Sequence, residues 1–121
     1  PCVRDNQTFC FQSGRFRVRV QWATTNGTGW GYTAPYMTSS GPSDEGGNFW
    51  FFGESNPEML IKVLNGCGLN QKYWVFFAAT TDQSFQVIVT DTFTGKIKVY
   101  QNSPGTPAVT VTDTATPFDC N

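Results

Sequence analysis

The chain has 121 residues and a net charge of −1, which fits a single domain over 1–121. It lacks the surplus of basic residues that binds nucleic acid. No run approaches the ~18 consecutive apolar residues of a membrane-spanning helix, so we expect no membrane insertion. Eleven Phe, four Trp and four Tyr, with few strong helix formers, predict an all-β fold.

Four cysteines, Cys2, Cys10, Cys67 and Cys120, form an even set with no C-x-x-C spacing and no histidine beside them. This argues against zinc and for two disulfides, which form in oxidising compartments. We therefore expect a secreted or cell-surface protein, although a start at Pro1 without a signal peptide fits either a cytosolic or a trimmed mature chain. Three connectivities are open; we expect Cys2–Cys120 because domain termini often lie close together, which leaves Cys10–Cys67.

Residues 1–14 read as an irregular lead-in tied by disulfides, and the first strand follows as "RFRVRVQW". Its apolar residues alternate with Arg15, Arg17 and Arg19, which predicts one buried and one wet face. The three arginines are candidates for docking an acidic partner; the alternative is a solvated face with acidic neighbours across the sheet. Asn26-Gly27 is a hairpin turn signal.

The next run, 30–38, alternates again, and Pro35 marks an edge or a bulge. Its Trp30, Tyr32 and Tyr36 are the candidate glycan-stacking rings, with core packing as the alternative. A loop is expected over 39–47, because the segment is rich in Ser, Gly and Pro. The oxygen-bearing side chains in and after this loop make weak candidates for a calcium site: Asp44, Glu45 and Asn48.

Two apolar runs then raise a structural question. "NFWFF" (48–52) and "KYWVFFAAT" (72–80) put bulky residues on both faces of a strand, which is typical of strands covered on both sides. We expect the second face to be covered by the lead-in, by the 39–47 loop or by a second molecule. Between the runs, 58–67 predicts a strand, with a short helix over 58–65 as the alternative.

The final elements are a hairpin and a last strand. In the hairpin "SFQVIVTDTFTGKIKVYQN" the returning strand contains Ile97 and Val99, and we expect Lys96 and Lys98 to point outward from it. The last strand is 108–114. About eight strands at this spacing predict an antiparallel β-sandwich, Ig-like or jelly-roll-like.

The sequence offers little for catalysis. Without histidine, neither a Ser-His-Asp nor a Cys-His site can form. The carboxylates that a glycosidase would need lie mostly at strand ends and turns, where Asp caps backbone groups. We therefore expect no enzyme activity and no cofactor.

Several phrases, "GRFRVRVQW", "NFWFF", "IKVLNGC", "YWVFF" and "VTDTFTG" with a closing cysteine, occur in this order from about residue 10 to 120. The pattern resembles a cysteine-framed β domain that recurs in exported bacterial proteins. The resemblance implies an exported, disulfide-linked accessory module, and it supplies no catalytic residues.

Together these observations predict a non-catalytic extracellular structural or interaction module. It would serve as a subunit of a surface assembly or as an accessory domain of a secreted protein, and its partner would be another protein or its own copies. The alternative is a carbohydrate-binding module that uses exposed aromatic side chains.

Overall fold

A computed structural model describes all residues, 1–121, and contains ten strands and one short helix. The strands are β1 (Phe9–Phe11), β2 (Phe16–Thr24), β3 (Gly27–Trp30), β4 (Tyr32–Thr38), β5 (Gly41–Trp50), β6 (Pro57–Gly66), β7 (Lys72–Ala79), β8 (Ser84–Asp91), β9 (Ile97–Asn102) and β10 (Val111–Asp113). The helix α1 is Cys67–Asn70, one turn between β6 and β7. The predicted strand at 58–67 is therefore confirmed over its helical alternative.

The strands form two antiparallel sheets of five strands each. In the first sheet, β2 pairs with β8 and β8 with β9, while β1 and β3 pair with different parts of β2. The second sheet has the order β10-β7-β6-β5-β4. The predicted all-β antiparallel sandwich with two disulfides is confirmed, with ten strands in place of about eight.

The core lies between the sheets and contains 16 buried hydrophobic residues. Phe16, Val18 and Val20 of β2 are fully buried, as their alternation predicts. Ile61 and Val75 face them from the second sheet and are also fully buried. Aromatic side chains, which make up 16% of the chain, therefore share this interior with β-branched ones.

The predicted loop at 39–47 is wrong, because Gly41–Trp50 forms strand β5. The glycines that suggested a loop serve close packing instead. A Cβ on Gly47 would lie 2.4 Å from the Phe9 ring, and one on Gly46 would lie 2.9 Å from the Ile61 carbonyl oxygen. The lead-in is also partly regular, since Phe9–Phe11 forms β1 against β2.

The expected polarity of β9 is also wrong. Ile97 and Val99 are 58% and 44% exposed, whereas Lys98 donates to the Asp113 carboxylate at 2.8 Å. Tyr100 donates to the same Asp113 oxygen at 2.7 Å, and burial, followed by this hydrogen bond, raises the pKa of its hydroxyl. Polar groups thus join the edge strands β9 and β10, and this turns the aliphatic residues of β9 outward.

The disulfides are Cys2–Cys10 and Cys67–Cys120, with Cα–Cα distances of 5.9 and 6.0 Å. The expected pairing of Cys2 with Cys120, and of Cys10 with Cys67, is wrong. The N-terminus is held locally against β1, and the C-terminal segment runs beside the start of β7, where the Cys120 amide donates to the Gln71 carbonyl at 3.1 Å. Each terminus is fixed to its own sheet and not to the other terminus.

We expect the two disulfides to contribute unequally to stability, because they close loops of different length. The Cys67–Cys120 separation is 53 residues and the Cys2–Cys10 separation is 8. Loop-closure entropy predicts losses of about 4 and about 2.5 kcal/mol when the respective pairs become alanine. Urea unfolding of the two double-alanine variants measures this difference, and a larger loss from the Cys2–Cys10 variant would contradict it.

Candidate functional site

The three aromatic residues proposed for glycan binding do not come together. Trp30 lies on the first sheet, where the Arg19 guanidinium covers its ring at 3.8 Å. Tyr32 stacks on Trp50 with ring centroids 4.5 Å apart. Only Tyr36 presents most of its ring to solvent, at 62% exposure. The structure therefore offers one free ring, not a platform of three.

The three arginines predicted to dock a partner do not lie on one surface either. Arg17 and Arg19 lie on the outward face of β2, but the prediction that Arg15 lies on this wet face is wrong, since it is only 7% exposed. Arg15 makes two hydrogen bonds to the Asp91 carboxylate, at 3.0 and 2.8 Å, and a third to the Asp119 carbonyl at 2.7 Å. It precedes β2, where the strand alternation no longer governs its direction.

Arg15 and Asp91 form a buried ion pair, with side-chain exposures of 9% and 0%. Burial alone would raise the pKa of the Asp91 carboxyl, but hydrogen bonds from Arg15 and from the Phe93 amide hold it below its ordinary value. The guanidinium also lies 4.8 Å from the centroids of both the Tyr73 and Phe93 rings. Arg15 thus has a structural role that joins the first sheet to the C-terminal segment.

The weak calcium candidates have other contacts. The Asp44 carboxylate accepts from the Ser13 amide at 2.8 Å, and the Asn48 side chain donates to the Met59 carbonyl at 3.4 Å. Glu45 is exposed on β5. The structure contains no group of three or more Cys, Asp or Glu residues placed to hold a metal ion.

The outward side of the second sheet has apolar side chains that the chain leaves uncovered or only partly covered. Cross-strand partners share a face, and β6 and β7 pair Leu60 with Ala78, Lys62 with Phe76 and Leu64 with Trp74. The open face consists of these six residues together with Tyr36 of β4: Tyr36, Leu60, Lys62, Leu64, Trp74, Phe76 and Ala78. None of the seven belongs to the buried core.

This result answers the question raised by the two apolar runs. In "YWVFF" the inward Val75 and Phe77 are buried, while the outward Trp74 and Phe76 remain partly exposed. Of the three expected covers, neither the lead-in nor residues 39–47 fully covers the second face of this strand. The lead-in packs at the edge of the interior, where Phe9 contacts Phe49 with centroids 5.0 Å apart.

The row "NFWFF" leaves less surface open. Phe49 and Phe51 are buried, and the outward Trp50 is covered by Tyr32. Phe52 lies beyond the end of β5, 53% exposed, with its ring 4.9 Å from that of Trp22. On β6 and β7, by contrast, Leu60 is exposed and Trp74 and Phe76 are partly exposed on the outward side.

The open face is built around Leu60, which is 44% exposed. Three of the molecule's four surface depressions border this residue. One of about 340 Å³ lies between Tyr36 and Leu64, above Gly46, and a second of about 150 Å³ lies towards Phe76. The face is therefore a central ridge with an apolar trench on each side.

The rings of the open face are held in place. The Trp74 indole N–H donates to the Asn70 side chain at 2.8 Å, and its ring covers Gly66, where a Cβ would lie 2.3 Å from the indole. Trp74 and Phe76 stack with an interplanar angle of 12° and centroids 5.9 Å apart. A face ordered in this way loses little side-chain freedom when something binds to it.

Three charged groups lie in or beside the open face. Lys62 is exposed, with its ammonium 5.6 Å from the centroid of the Phe76 ring. Glu45 borders the same depression as Lys62, and Glu58 borders a third one beside Leu60. Burial raises the pKa of the Glu58 carboxyl. None of the three is among the ion pairs of the molecule, which join Arg15 to Asp91, Lys72 to Asp119 and Lys98 to Asp113.

The remaining depression is polar and lies at one end of the sandwich. It has a volume of about 380 Å³ and is lined by Ala23, Thr24, Thr25, Asp82, Gln83, Ser84, Pro104 and Gly105. Its single charged residue gives it no pair of groups for acid–base catalysis.

Comparison with protein-family models, with curated proteins and with solved structures found no match to this chain. No helix has the length and apolar character needed to span a membrane. The open face and the disulfides are the features of the molecule that bear on its function.

We expect Arg15→Ala to destabilise the fold strongly, because it leaves the buried Asp91 carboxylate without its partner. Breaking a buried ion pair in this way costs about 3–5 kcal/mol. Arg17→Ala is the matched control and should change the unfolding free energy by less than about 0.5 kcal/mol. Chemical denaturation measures both, and equal effects would contradict the assignment of Arg15 to the structural frame.

Proposed function

We propose that the protein is a non-catalytic extracellular interaction module that binds a protein partner through the open face. The observation that supports the proposal is a sheet face of aliphatic and aromatic side chains that no other part of the chain covers. Scattered exposed apolar residues are normal on a protein, but a contiguous rigid patch of this kind marks an interaction surface.

The composition of the open face fits a protein partner. Aromatic residues are enriched in interface cores and charged residues are few there, and the open face has Tyr36, Trp74 and Phe76 with a single lysine. Polar residues lie at its margin, including Thr110 and Thr112 beside the Phe76 trench. An apolar centre with a polar rim is the arrangement of protein interfaces.

The extracellular location is supported by the disulfides. All four cysteines are paired and none is free. Disulfides persist in oxidising environments and are rare in the cytosol of most organisms. A surface assembly and a larger secreted protein are both settings in which such a module would find a partner for its open face.

A second candidate function is glycan binding, and Tyr36 is the observation that favours it. Its exposed ring borders a depression that also contains Ser43, Glu45 and Lys62. One ring with several polar groups is a minimal sugar site. It would occupy one trench and leave the Leu60 ridge and the Phe76 side uncovered.

Photo-crosslinking tests the proposed function directly. Benzoylphenylalanine placed at Tyr36 should form covalent protein adducts in the extracellular fraction of the source organism. The matched control places the same group at Ile97, which is 58% exposed on the first sheet, compared with 62% for Tyr36. Mass spectrometry identifies the adducts. Absence of adducts at Tyr36, or equal yields at both positions, would contradict the proposal.

The glycan candidate predicts a different result. Binding on a glycan array should fall about tenfold or more in Tyr36→Ala, which removes the stacking ring, and stay unchanged in Trp30→Ala, whose ring is already covered. An array without any hit, or one unaffected by Tyr36→Ala, excludes this site as a lectin-like one.

A further inference from the structure

We infer that the occupant of the open face is a second copy of this chain, related by a two-fold axis that passes over Leu60 perpendicular to β6. The inference rests on the proposed function and adds the identity of the partner. In this arrangement the two β6 strands run antiparallel across the interface. Leu60 meets Leu60, and Lys62 of each copy faces Glu58 of the other.

The order of charges along β6 supports this geometry. Leu60 and Lys62 alternate with the buried Met59 and Ile61, so they point to the outward side of the strand. Glu58 lies at a β-bulge, where β6 has one more residue than β5, and it borders the depression beside Leu60 and Ala78 on the same side. The order of the three residues is negative, apolar, positive. A two-fold axis at Leu60 reverses this order on the second copy, which places each lysine opposite a glutamate. The pattern is therefore complementary to itself, as a closed two-fold interface requires.

The opposite orientation is unfavourable. With the β6 strands parallel, Lys62 would face Lys62 and Glu58 would face Glu58. Like charges placed opposite one another in an interface are repulsive and select against wrong pairings. The same three residues thus specify the orientation as well as the partner.

The charges also lack partners within the molecule. Lys62, Glu58 and Glu45 form no internal ion pair. Glu58 is only 5% exposed, so its carboxylate is already partly removed from water. Any cover on the open face would bury Lys62 further, and a buried charge needs a paired counter-charge. A second copy supplies one at the required position.

The size of the face is consistent with a modest dimer. The four strands β4 to β7, spaced about 4.8 Å apart and about nine residues long on average at about 3.3 Å per residue, give a projected area of roughly 550 Å². A typical stable interface buries about 800 Å² on each partner. The corrugation provided by Leu60 and its two trenches increases the contact area above the projection. We therefore expect a dimer in the micromolar range, about 1–100 µM.

A mixing experiment tests the pairing. Sedimentation velocity between about 1 µM and about 1 mM should show dimers of the unmodified protein. Lys62→Glu alone and Glu58→Lys alone should each weaken the dimer at least about tenfold, because each creates two like-charge contacts. An equimolar mixture of the two variants should restore it, since both contacts again join opposite charges.

Matched controls separate this result from a general effect of mutation. Leu60→Lys should abolish the dimer, while Val99→Lys, at the same 44% exposure on the first sheet, should leave it intact. If Glu58→Lys does not fold, as judged by thermal melting, Glu58→Gln replaces it. Its mixture with Lys62→Glu should then recover part of the association, because one like-charge contact becomes neutral and the other is restored.

A monomer at all concentrations, or a dimer that the Lys62→Glu variant leaves unchanged, would overturn the inference. Such a failure is distinguishable from failure of the proposed function. If the protein is monomeric but still forms adducts with another protein from position 36, the open face is an interaction surface whose partner is that protein and not a second copy. A monomer that forms no adducts would contradict both the dimer and the proposed function.

Discussion

The interior between two packed sheets accepts only one face of each strand, since successive side chains point to opposite sides. The strands β6 and β7 carry apolar residues on both faces, so one set has to remain outside. Val75 and Phe77 fill the interior while Trp74 and Phe76 do not. Much of what distinguishes this domain from an ordinary sandwich follows from this excess of apolar strand surface.

The rest of the chain closes the interior at its edges and leaves the outer face open. The lead-in packs Phe9 against Phe49 at one side, and Asp113 joins Lys98 and Tyr100 at the opposite side. The Arg15–Asp91 pair fixes the C-terminal segment. These contacts make the second sheet a rigid support, and rigidity lowers the cost of binding anything to its outer surface.

The sequence predicts the parts of this structure that depend on strand periodicity. The alternation of Phe16, Val18 and Val20 identifies a buried face, and two-sided apolar runs identify β7 as unusual. Periodicity gives the wrong prediction where a contact from elsewhere in the chain determines the local structure. Glycine composition suggested a loop at 39–47, yet Gly47 lies in a strand, where the Phe9 ring leaves no room for a side chain. Arg15 lies just before β2, where Asp91, distant in sequence, determines its direction.

In the candidate site, too, the sequence predicts some features, whereas others depend on contacts between distant parts of the chain. The sequence identifies Tyr36 as a candidate ring, but it does not show that Tyr32 and Trp30 are covered by Trp50 and Arg19. The two-sided run at 72–80 indicates that a second face needs a cover. The sequence cannot show that no part of the chain supplies it, because this depends on where the lead-in and β5 pack. The disulfide pairing depends on the same long-range placement.

Concentration-dependent NMR of the unmodified protein tests most directly whether the uncovered sheet face is a surface for a second copy. The backbone amides of Leu60, Lys62 and Phe76 should shift between about 20 µM and about 1 mM, with the amides of Ile97 and Val99 as the reference. A second copy on the open face should confine the shifts to β4–β7, and they should follow a monomer–dimer equilibrium. Spectra identical at both concentrations, or shifts centred on β8 and β9, would contradict it.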